Sequence, residues 1–332
     1  MIISKTPYRI SFFGGGTDYP SWYSENPGAV LATTINKYCY ISAKYNTNLD
    51  VINHKIIWSH IENVYSFKDI LHPAVREGLL QMQMDETKGL EIYHSGDLPA
   101  RTGIGSSSSF CVGLINSLAN LNEKPLNKTD LALKAIELEQ NILNEKVGSQ
   151  DQIAASFGGF NKIIFNKDSS FNVEKIEIKQ ETLSTLNKNM SLYYTGTRIG
   201  RNSSDVISDM VNNFDSNYSL LTELESFVEE GIALLKKSDI SNFGKLLNES
   251  WKIKKSLGKE ISNEHINEIY DTAINCGAYG GKILGAGGAG FIMFIIPESN
   301  KTTLKEKLKN CTEVPFEFEN SGSKIILNSK SV

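Results

Sequence analysis

Hydrophobic positions change their period along this chain of 332 residues, and the change divides it into two stretches of different character. Up to about residue 190, short runs suited to strands alternate with helical patterns. Ala29–Thr34, Tyr38–Tyr45, Leu90–His94 and Asn161–Phe165 read as strands. Phe110, Val112, Leu114, Ile115, Leu118 and Leu121 recur at helical spacing and predict a helix over Ser107–Asn120. A second helix is expected over Thr129–Leu143, with Thr129 as its N-cap. After a strand at Ser191–Thr195 come longer amphipathic stripes. Leu220, Leu221, Leu224, Phe227, Val228 and Leu235 form one, and Phe243, Leu246, Leu247 and Trp251 form the next. A third, with Ile266, Ile269, Tyr270, Ala273 and Ile274, stops at Gly277 as a C-cap glycine would stop it. Strands near Lys282–Leu284, Gly290–Ile296, Pro315–Glu319 and Lys324–Leu327 follow, with a helix around Thr303–Lys309. The pattern predicts a mixture of strands and helices with a soft boundary near 190, dividing the chain into 1–190 and 191–332. No repeat, low-complexity tract or proline-rich linker marks that boundary.

Composition narrows the classes of partner. The length suggests about two domains with a full core. A net charge of −4 and a pI near 5.8 argue against nucleic acid or an anionic membrane surface. The longest apolar run, Phe291–Ile296, is far too short to span a bilayer, and the N-terminus lacks a signal-type apolar core. Cys39, Cys111, Cys276 and Cys311 are scattered without a C-x-x-C pair, so neither a disulfide framework nor a metal cluster is expected. The cytoplasm is the expected location.

The candidate chemistry lies in glycine-dense turns. Leu98-Pro99-Ala100-Arg101-Thr102-Gly103-Ile104-Gly105 runs into four consecutive serines, Ser106 to Ser109, and then into the first helical pattern. Glycines let the backbone approach an anion, and a helix opening there aims its free N–H groups and positive dipole end at one point. Serine hydroxyls add donors or ligands for Mg²⁺, a hard cation that prefers oxygen. A serine-rich turn that merely caps a helix explains the same residues. No Walker A motif is present: Gly277-Ala278-Tyr279-Gly280-Gly281-Lys282-Ile283 has the wrong spacing and Ile where Ser or Thr must stand. Two further segments share the glycine density. One is Pro7-Tyr8-Arg9-Ile10-Ser11-Phe12-Phe13-Gly14-Gly15-Gly16-Thr17-Asp18, and the other is Gly280–Gly290, with Gly285, Gly287 and Gly288.

In their order and content these three segments resemble the motifs of the GHMP kinases, the superfamily of galactokinase, homoserine kinase, mevalonate kinase and phosphomevalonate kinase. The middle motif, P-x-x-x-G-L-G-S-S, is matched from Pro99 to Ser107 with Ile104 for Leu. Within the superfamily the chain is most similar to the D-glycero-D-manno-heptose 7-phosphate kinases. That likeness rests on Gly14-Gly15-Gly16-Thr17-Asp18, His72-Pro73-Ala74-Val75-Arg76-Glu77, Ala100-Arg101-Thr102-Gly103 and Gly148-Ser149-Gln150-Asp151-Gln152. Galactokinases carry Glu-His where this chain has Gly15-Gly16. The resemblance implies a two-domain α+β fold, with an N-terminal ribosomal protein S5 domain 2-like ATP-binding domain (1–190), a C-terminal ferredoxin-like domain (191–332), and a site in the cleft between them.

It also implies residue roles. Asp151 would be the catalytic base with Arg9 close by, and Pro99, Arg101, Gly103, Gly105, Ser106, Ser107 and Ser108 would hold the phosphates of ATP. Ser107 and Glu139 would ligate Mg²⁺. Asp18, Gly15, Gly16 and Thr17 would meet the sugar, with Gly287 and Gly288 shaping the site. A sugar that already bears a phosphate calls for a guanidinium clamp, for which Arg198 and Arg201 are the candidates. Each role has a plainer reading beside it: an Asx turn before Pro20 for Asp18, a solvated helix glutamate for Glu139, a turn aspartate for Asp151, a surface loop for the two arginines. Lys282 reads equally as a solvated strand residue or a ligand. The expected activity is ATP- and Mg²⁺-dependent phosphorylation of the anomeric hydroxyl of a heptose 7-phosphate. Its alternatives are a kinase of another sugar such as fucose and a non-catalytic ATP/sugar-binding sensor. The expected partners are small molecules, with no nucleic acid or membrane, and a homodimer is compatible with the reading.

Overall fold

The computed structural model describes residues 1–46, 53–197, 214 and 216–329. The chain begins with β1 (Ile2–Phe13), a single helical turn α1 (Pro20–Tyr23), β2 (Gly28–Tyr45), β3 (His54–Ile57) and β4 (Ile61–Val64). Next come α2 (Pro73–Gln81), β5 (Leu90–Gly96), α3 (Ser106–Leu121), α4 (Lys128–Ile136) and α5 (Gln150–Phe157). β6 (Phe160–Phe165), β7 (Phe171–Lys175), α6 (Gln180–Asn189) and β8 (Met190–Tyr194) follow. The later part holds α7 (Tyr218–Lys236), α8 (Ile240–Ser256), α9 (Glu264–Asn275), β9 (Gly280–Ile283) and β10 (Phe291–Ile295). α10 (Lys301–Lys307), β11 (Thr312–Glu313), β12 (Phe318–Glu319) and β13 (Lys324–Asn328) complete it.

Among the described residues the strands form two sheets. The nine-stranded sheet runs β13-β1-β2-β5-β3-β4, with β6 and β12 also pairing β2 and β7 pairing β6. The four-stranded sheet, β11-β8-β10-β9, is antiparallel throughout. β2 joins the two runs Ala29–Thr34 and Tyr38–Tyr45 that the pattern reads separately. The polar interval at Asn36 does not end the strand, because Asn36 N donates to Glu317 O (2.9 Å) and keeps its ladder bond. The N-terminal half of β2 pairs β6 and its C-terminal half pairs β5, so one strand serves two edges. β12 and β13 lie beyond the boundary expected near 190 yet return to the first sheet, with Phe318 opposite Ile35 and Asn328 opposite Ile2.

A buried aromatic seam links β1 to the later helices. Phe12 stacks on Phe160 and meets the edge of Phe243, each at 5.3 Å between ring centres, and Phe13 meets Phe243 at 5.2 Å. Burying each such ring contributes roughly 1.5–3 kcal/mol, so the seam fixes α8 against β1. β1 and β2 shift register between Pro7 and Tyr8, just ahead of Arg9.

Two local expectations are corrected. Asn127, not Thr129, caps α4: its Oδ1 accepts from Asp130 N (2.9 Å), which starts the helix at Lys128. The helix expected over Thr129–Leu143 is not uniform, for α4 passes at Ile136 into a π-helical turn, Glu137–Ile142, where Leu143 N donates to Leu138 O five residues back (2.9 Å). No helix among the described residues is long and apolar enough to cross a membrane.

Candidate active site

The ends of β1, α3, α5 and the β9–β10 turn converge around one ion pair. Arg9 is buried on β1, and its Nε and Nη2 donate to Asp151 Oδ1 (2.6 Å) and Oδ2 (2.8 Å). Its remaining terminal nitrogen, Nη1, donates to Gly103 O (2.6 Å). The guanidinium thus spends donors on both carboxylate oxygens and on the glycine–serine loop, which fixes Asp151 relative to that loop. Asp151 stands in the first turn of α5 with its side chain 21% exposed, so one face of the carboxylate stays open to a ligand.

Gly103 and Gly105 take positive φ values of +83° and +73°, and Gly105 forms the N-cap of α3 with no side-chain cap bond. The first N–H groups of α3 therefore face outward at the loop. A Cβ on Gly103 would sit 2.3 Å from Leu284 O, and one on Gly285 2.5 Å from Gly103 Cα. At Gly285 the third glycine segment is packed backbone to backbone on the second. Phe291 N donates to Thr102 O (3.0 Å) and ties β10 to the same loop.

The serines divide in two. Ser106 Oγ accepts from Arg101 N (3.0 Å) and Ser107 Oγ donates to Glu139 Oε1 (2.8 Å). Ser108 and Ser109 turn inward; Ser109 Oγ donates to Pro7 O (2.9 Å), and the Ser108 hydroxyl supports Glu139. Glu139 is fully buried and so is not a solvated helix residue. Its other oxygen accepts from Gln152 Nε2 (2.6 Å). Burial pushes its carboxyl up to about 7, against the pull of the Ser108, Ser107 and Gln152 hydrogen bonds. The π-helical turn delivers Glu139 inward while Glu137 stays exposed.

Asp18 is buried at 2% exposure. Its Oδ1 accepts from Gly16 N (3.0 Å) and its Oδ2 from Gln150 Nε2 (3.0 Å). Burial raises its pKa, the Gly16 N–H opposes this, and the charge on Asp151 raises it further. A Cβ on Gly148 would lie 1.9 Å from Asp18 Oδ2, so only glycine lets that turn close over the carboxylate. Above Gly15 there is room: the nearest atoms to a Cβ there are Ser11 Oγ (3.8 Å) and Gln150 Nε2 (4.0 Å). Ser11 Oγ and Gln150 Oε1 are both buried without a protein partner. The structure therefore brings Arg9, Gly15, Asp18, Gly103, Gly105, Ser106, Ser107, Glu139 and Asp151 together.

Other expected residues fall elsewhere. Thr17 turns inward, its Oγ1 donating to Gly14 O (2.8 Å) and accepting from Ala29 N (3.2 Å). Pro99 and Arg101 are exposed at the outer end of the loop. Gly288 is held by the Ile261 carbonyl and the Asn263 side chain: Gly288 N donates to Ile261 O (2.9 Å) and Asn263 Nδ2 to Gly288 O (2.7 Å). A Cβ on Gly287 would approach the same Ile261 O at 2.5 Å. Lys282 is buried, not solvated: Nζ donates to Phe12 O (2.9 Å), and desolvation holds its pKa well below the usual lysine range. Arg198 and Arg201 lie outside the described residues.

Three residues at the site were given no role from sequence: Gln150, Gln152 and Lys254. The two glutamines lay inside a quoted motif. Lys254 follows Trp251 by three residues and Leu247 by seven, which puts it on the buried stripe of α8. The His72 motif also has a place. His72 caps α2 and stacks on Phe110 of α3 at 4.8 Å, with Trp58 edge-on at 4.7 Å. Burial lowers the His72 pKa to about 4, leaving a neutral ring.

Comparison with known proteins matches residues 69–159 to the GHMP kinases N-terminal domain and residues 232–313 to the GHMP kinases C-terminal domain. The chain is 29% identical to a D-glycero-alpha-D-manno-heptose 7-phosphate kinase of Campylobacter jejuni, over 93% of each chain. It is 27% identical to a galactokinase of Pyrococcus furiosus, over 92% of each. Among solved structures, a D-glycero-D-manno-heptose 1-phosphate kinase from Bacteroides thetaiotaomicron superimposes with a TM-score of 0.82 at 24% identity. That match covers 99% of this chain and all of that one.

Proposed function

We propose that this chain, which belongs to the GHMP kinases, phosphorylates the anomeric (C1) hydroxyl of D-glycero-D-manno-heptose 7-phosphate to give the 1,7-bisphosphate. The fold is the α+β fold of that family, and the chain is a phosphotransferase with an alcohol group as acceptor and ATP as donor. The choice of sugar is our reading, supported by the 29% identity to the heptose 7-phosphate kinase and by the room beside Gly15.

The observation that carries the reading is the Arg9–Asp151 pair locked to the glycine–serine loop, beside two buried polar atoms without a protein partner, Ser11 Oγ and Gln150 Oε1, that suit a polyol. ATP phosphates would meet the N–H groups of Ser106 and Ser107 and the positive end of α3. One helical turn further, the neutral His72–Phe110–Trp58 cluster offers the apolar surface on which a purine packs. Asp18, Ser11 and Gln150 would bind sugar hydroxyls. The C1 oxygen then attacks the γ-phosphorus as the bond to the β,γ-bridging oxygen breaks. ADP leaves with that electron pair, and the hydroxyl proton passes to Asp151. Arg9 holds the carboxylate in line and balances its charge.

Ser107 and Glu139 fit Mg²⁺. They are two hard oxygen donors 2.8 Å apart, one of them a buried carboxylate that makes no ion pair among the described residues. When bound there, Mg²⁺ would neutralise charge on the β- and γ-phosphate oxygens. Arg198 or Arg201 would grip the 7-phosphate. We also keep the division at 190 as a proposal, with β12 and β13 as the segment that rejoins the first part.

A coupled ADP-release assay over a panel of sugars tests this. The heptose 7-phosphate should exceed the unphosphorylated heptose by about 10²-fold or more in kcat/KM, since each charge-assisted bond to arginine is worth roughly 1.5–3 kcal/mol. Equal turnover of both, or preference for fucose, would defeat the substrate assignment. No turnover of any sugar would favour the sensor.

A further inference from the structure

The geometry points to Lys254 as the side chain that grips the γ-phosphoryl group of ATP. This inference rests on the kinase reading above and concerns the same site. Lys254 reaches out of α8, and its Nζ donates to Gly285 O (2.5 Å). Gly285 is stacked on Gly103, where a Cβ on the former would come within 2.5 Å of the latter's Cα. Gly103 O in turn accepts from Arg9 Nη1. The ammonium thus stands at the inner wall of the glycine–serine loop, on the side of the Arg9–Asp151 pair.

The other cations of the site are committed. Arg9 is bound bidentately to Asp151 and to Gly103 O, and Lys282 is buried against Phe12 O. Lys254 has spent one of its three N–H donors and makes no ion pair among the described residues. Four charged groups face it: Arg9 from β1, Lys282 from β9, Asp18 from the turn after β1 and Asp151 from α5. Burial and the Arg9 charge lower its pKa to about 8 against the opposing pull of Asp18 and Asp151. A half-buried ammonium with two unused donors beside an anion cradle is short of an anion. The terminal phosphoryl group is the one that arrives there, next to the base. As that group moves from ADP oxygen to sugar oxygen, Lys254 stays on its non-bridging oxygens and takes no proton.

ATP and ADP binding without any sugar, each with Mg²⁺ and read by calorimetry, separates this role from packing. Lys254→Met keeps the apolar stem and should weaken ATP by about tenfold or more, in line with one charged hydrogen bond, while ADP changes less than twofold. Lys254→Arg should restore most of the preference for ATP. A parallel measurement uses the unaltered protein: ATP, but not ADP, should protect Lys254 from amine-reactive labelling mapped by mass spectrometry. Equal loss of ATP and ADP affinity in Lys254→Met, or labelling indifferent to the third phosphate, would overturn the assignment. A parent protein that binds no ATP would overturn the kinase reading together with it, and is distinguishable because no nucleotide contrast exists to lose.

Discussion

Glu139→Gln offers a test of the buried carboxylate that needs no sugar. In the native protein Glu139 is fully buried, accepts from Ser107 and Gln152, and titrates near 7 instead of the ordinary 4.5. A raised carboxyl pKa means the folded state binds the proton more tightly than the unfolded state. Stability is therefore lost as pH rises from 4.5 through 7 and stays lost above it. The full gap of pKa corresponds to about 3 kcal/mol, with about 1 kcal/mol of it already present at pH 5. The amide accepts from Ser107 as before. Its new donor faces Gln152, whose Oε1 is buried without a partner and can turn to receive it. In metal-free protein the variant should melt higher than the parent by about 4 °C at pH 8, shrinking to about 1 °C at pH 5, given roughly 2 cal/mol/K of unfolding entropy per residue. MgATP should then raise the melting temperature of the parent far more than that of the variant. Thermal melts by circular dichroism at several pH values read all of this. Parallel melting curves for the two proteins from pH 5 to 8 would refute the reasoning, because a charge that costs nothing cannot be buried.

Asp151→Asn removes the proton acceptor and keeps the shape, so kcat should fall by about 10² or more while ATP affinity stays within a few-fold; near-full turnover would remove Asp151 from the mechanism. Ser107→Ala should raise the Mg²⁺ concentration needed for half-maximal rate, with partial rescue by Mn²⁺, and parental behaviour at low Mg²⁺ would reduce the serine to a cap. Gly103→Ala forces a Cβ to 2.3 Å from Leu284 O at φ +83° and should cost both stability and activity. Gly15→Ala, with nothing closer than 3.8 Å, should fold normally and raise KM for the sugar alone; equal melting temperatures for the two variants would contradict the packing described.

The glycine–serine loop and its partners were legible because their backbone demands are written locally, as glycines at turns and hydroxyls at a helix start. Asp151 and Glu139 could be reached only through resemblance, since a turn aspartate and a helix glutamate have no distinctive spacing. The π-helical turn escaped because an apolar period does not record a bond slipping from four residues back to five. Lys254 escaped because it sits in the basic run Lys252-Ile253-Lys254-Lys255, which reads as the ordinary cationic end of a helix. Lys282 read equally as solvated or as a ligand because its partner, the carbonyl of Phe12, lies 270 residues away. The return of β12 to β2 is likewise a pairing across nearly the whole chain, and nothing local announces it.

That return has a consequence during synthesis. Chains are made from the N-terminus, and domains generally fold as units while they emerge. Here β1, which carries Arg9, lies between β2 and β13, and its outer edge waits for residues 324–328. The first sheet can collapse early around β2 and α3, but the start of β1, Ile2–Lys5, keeps N–H and C=O groups unpaired until residues 324–328 have been translated. Ribosome-bound chains halted before Lys324 should present that edge to chaperones or to one another, four residues along the same strand from the arginine that anchors the site.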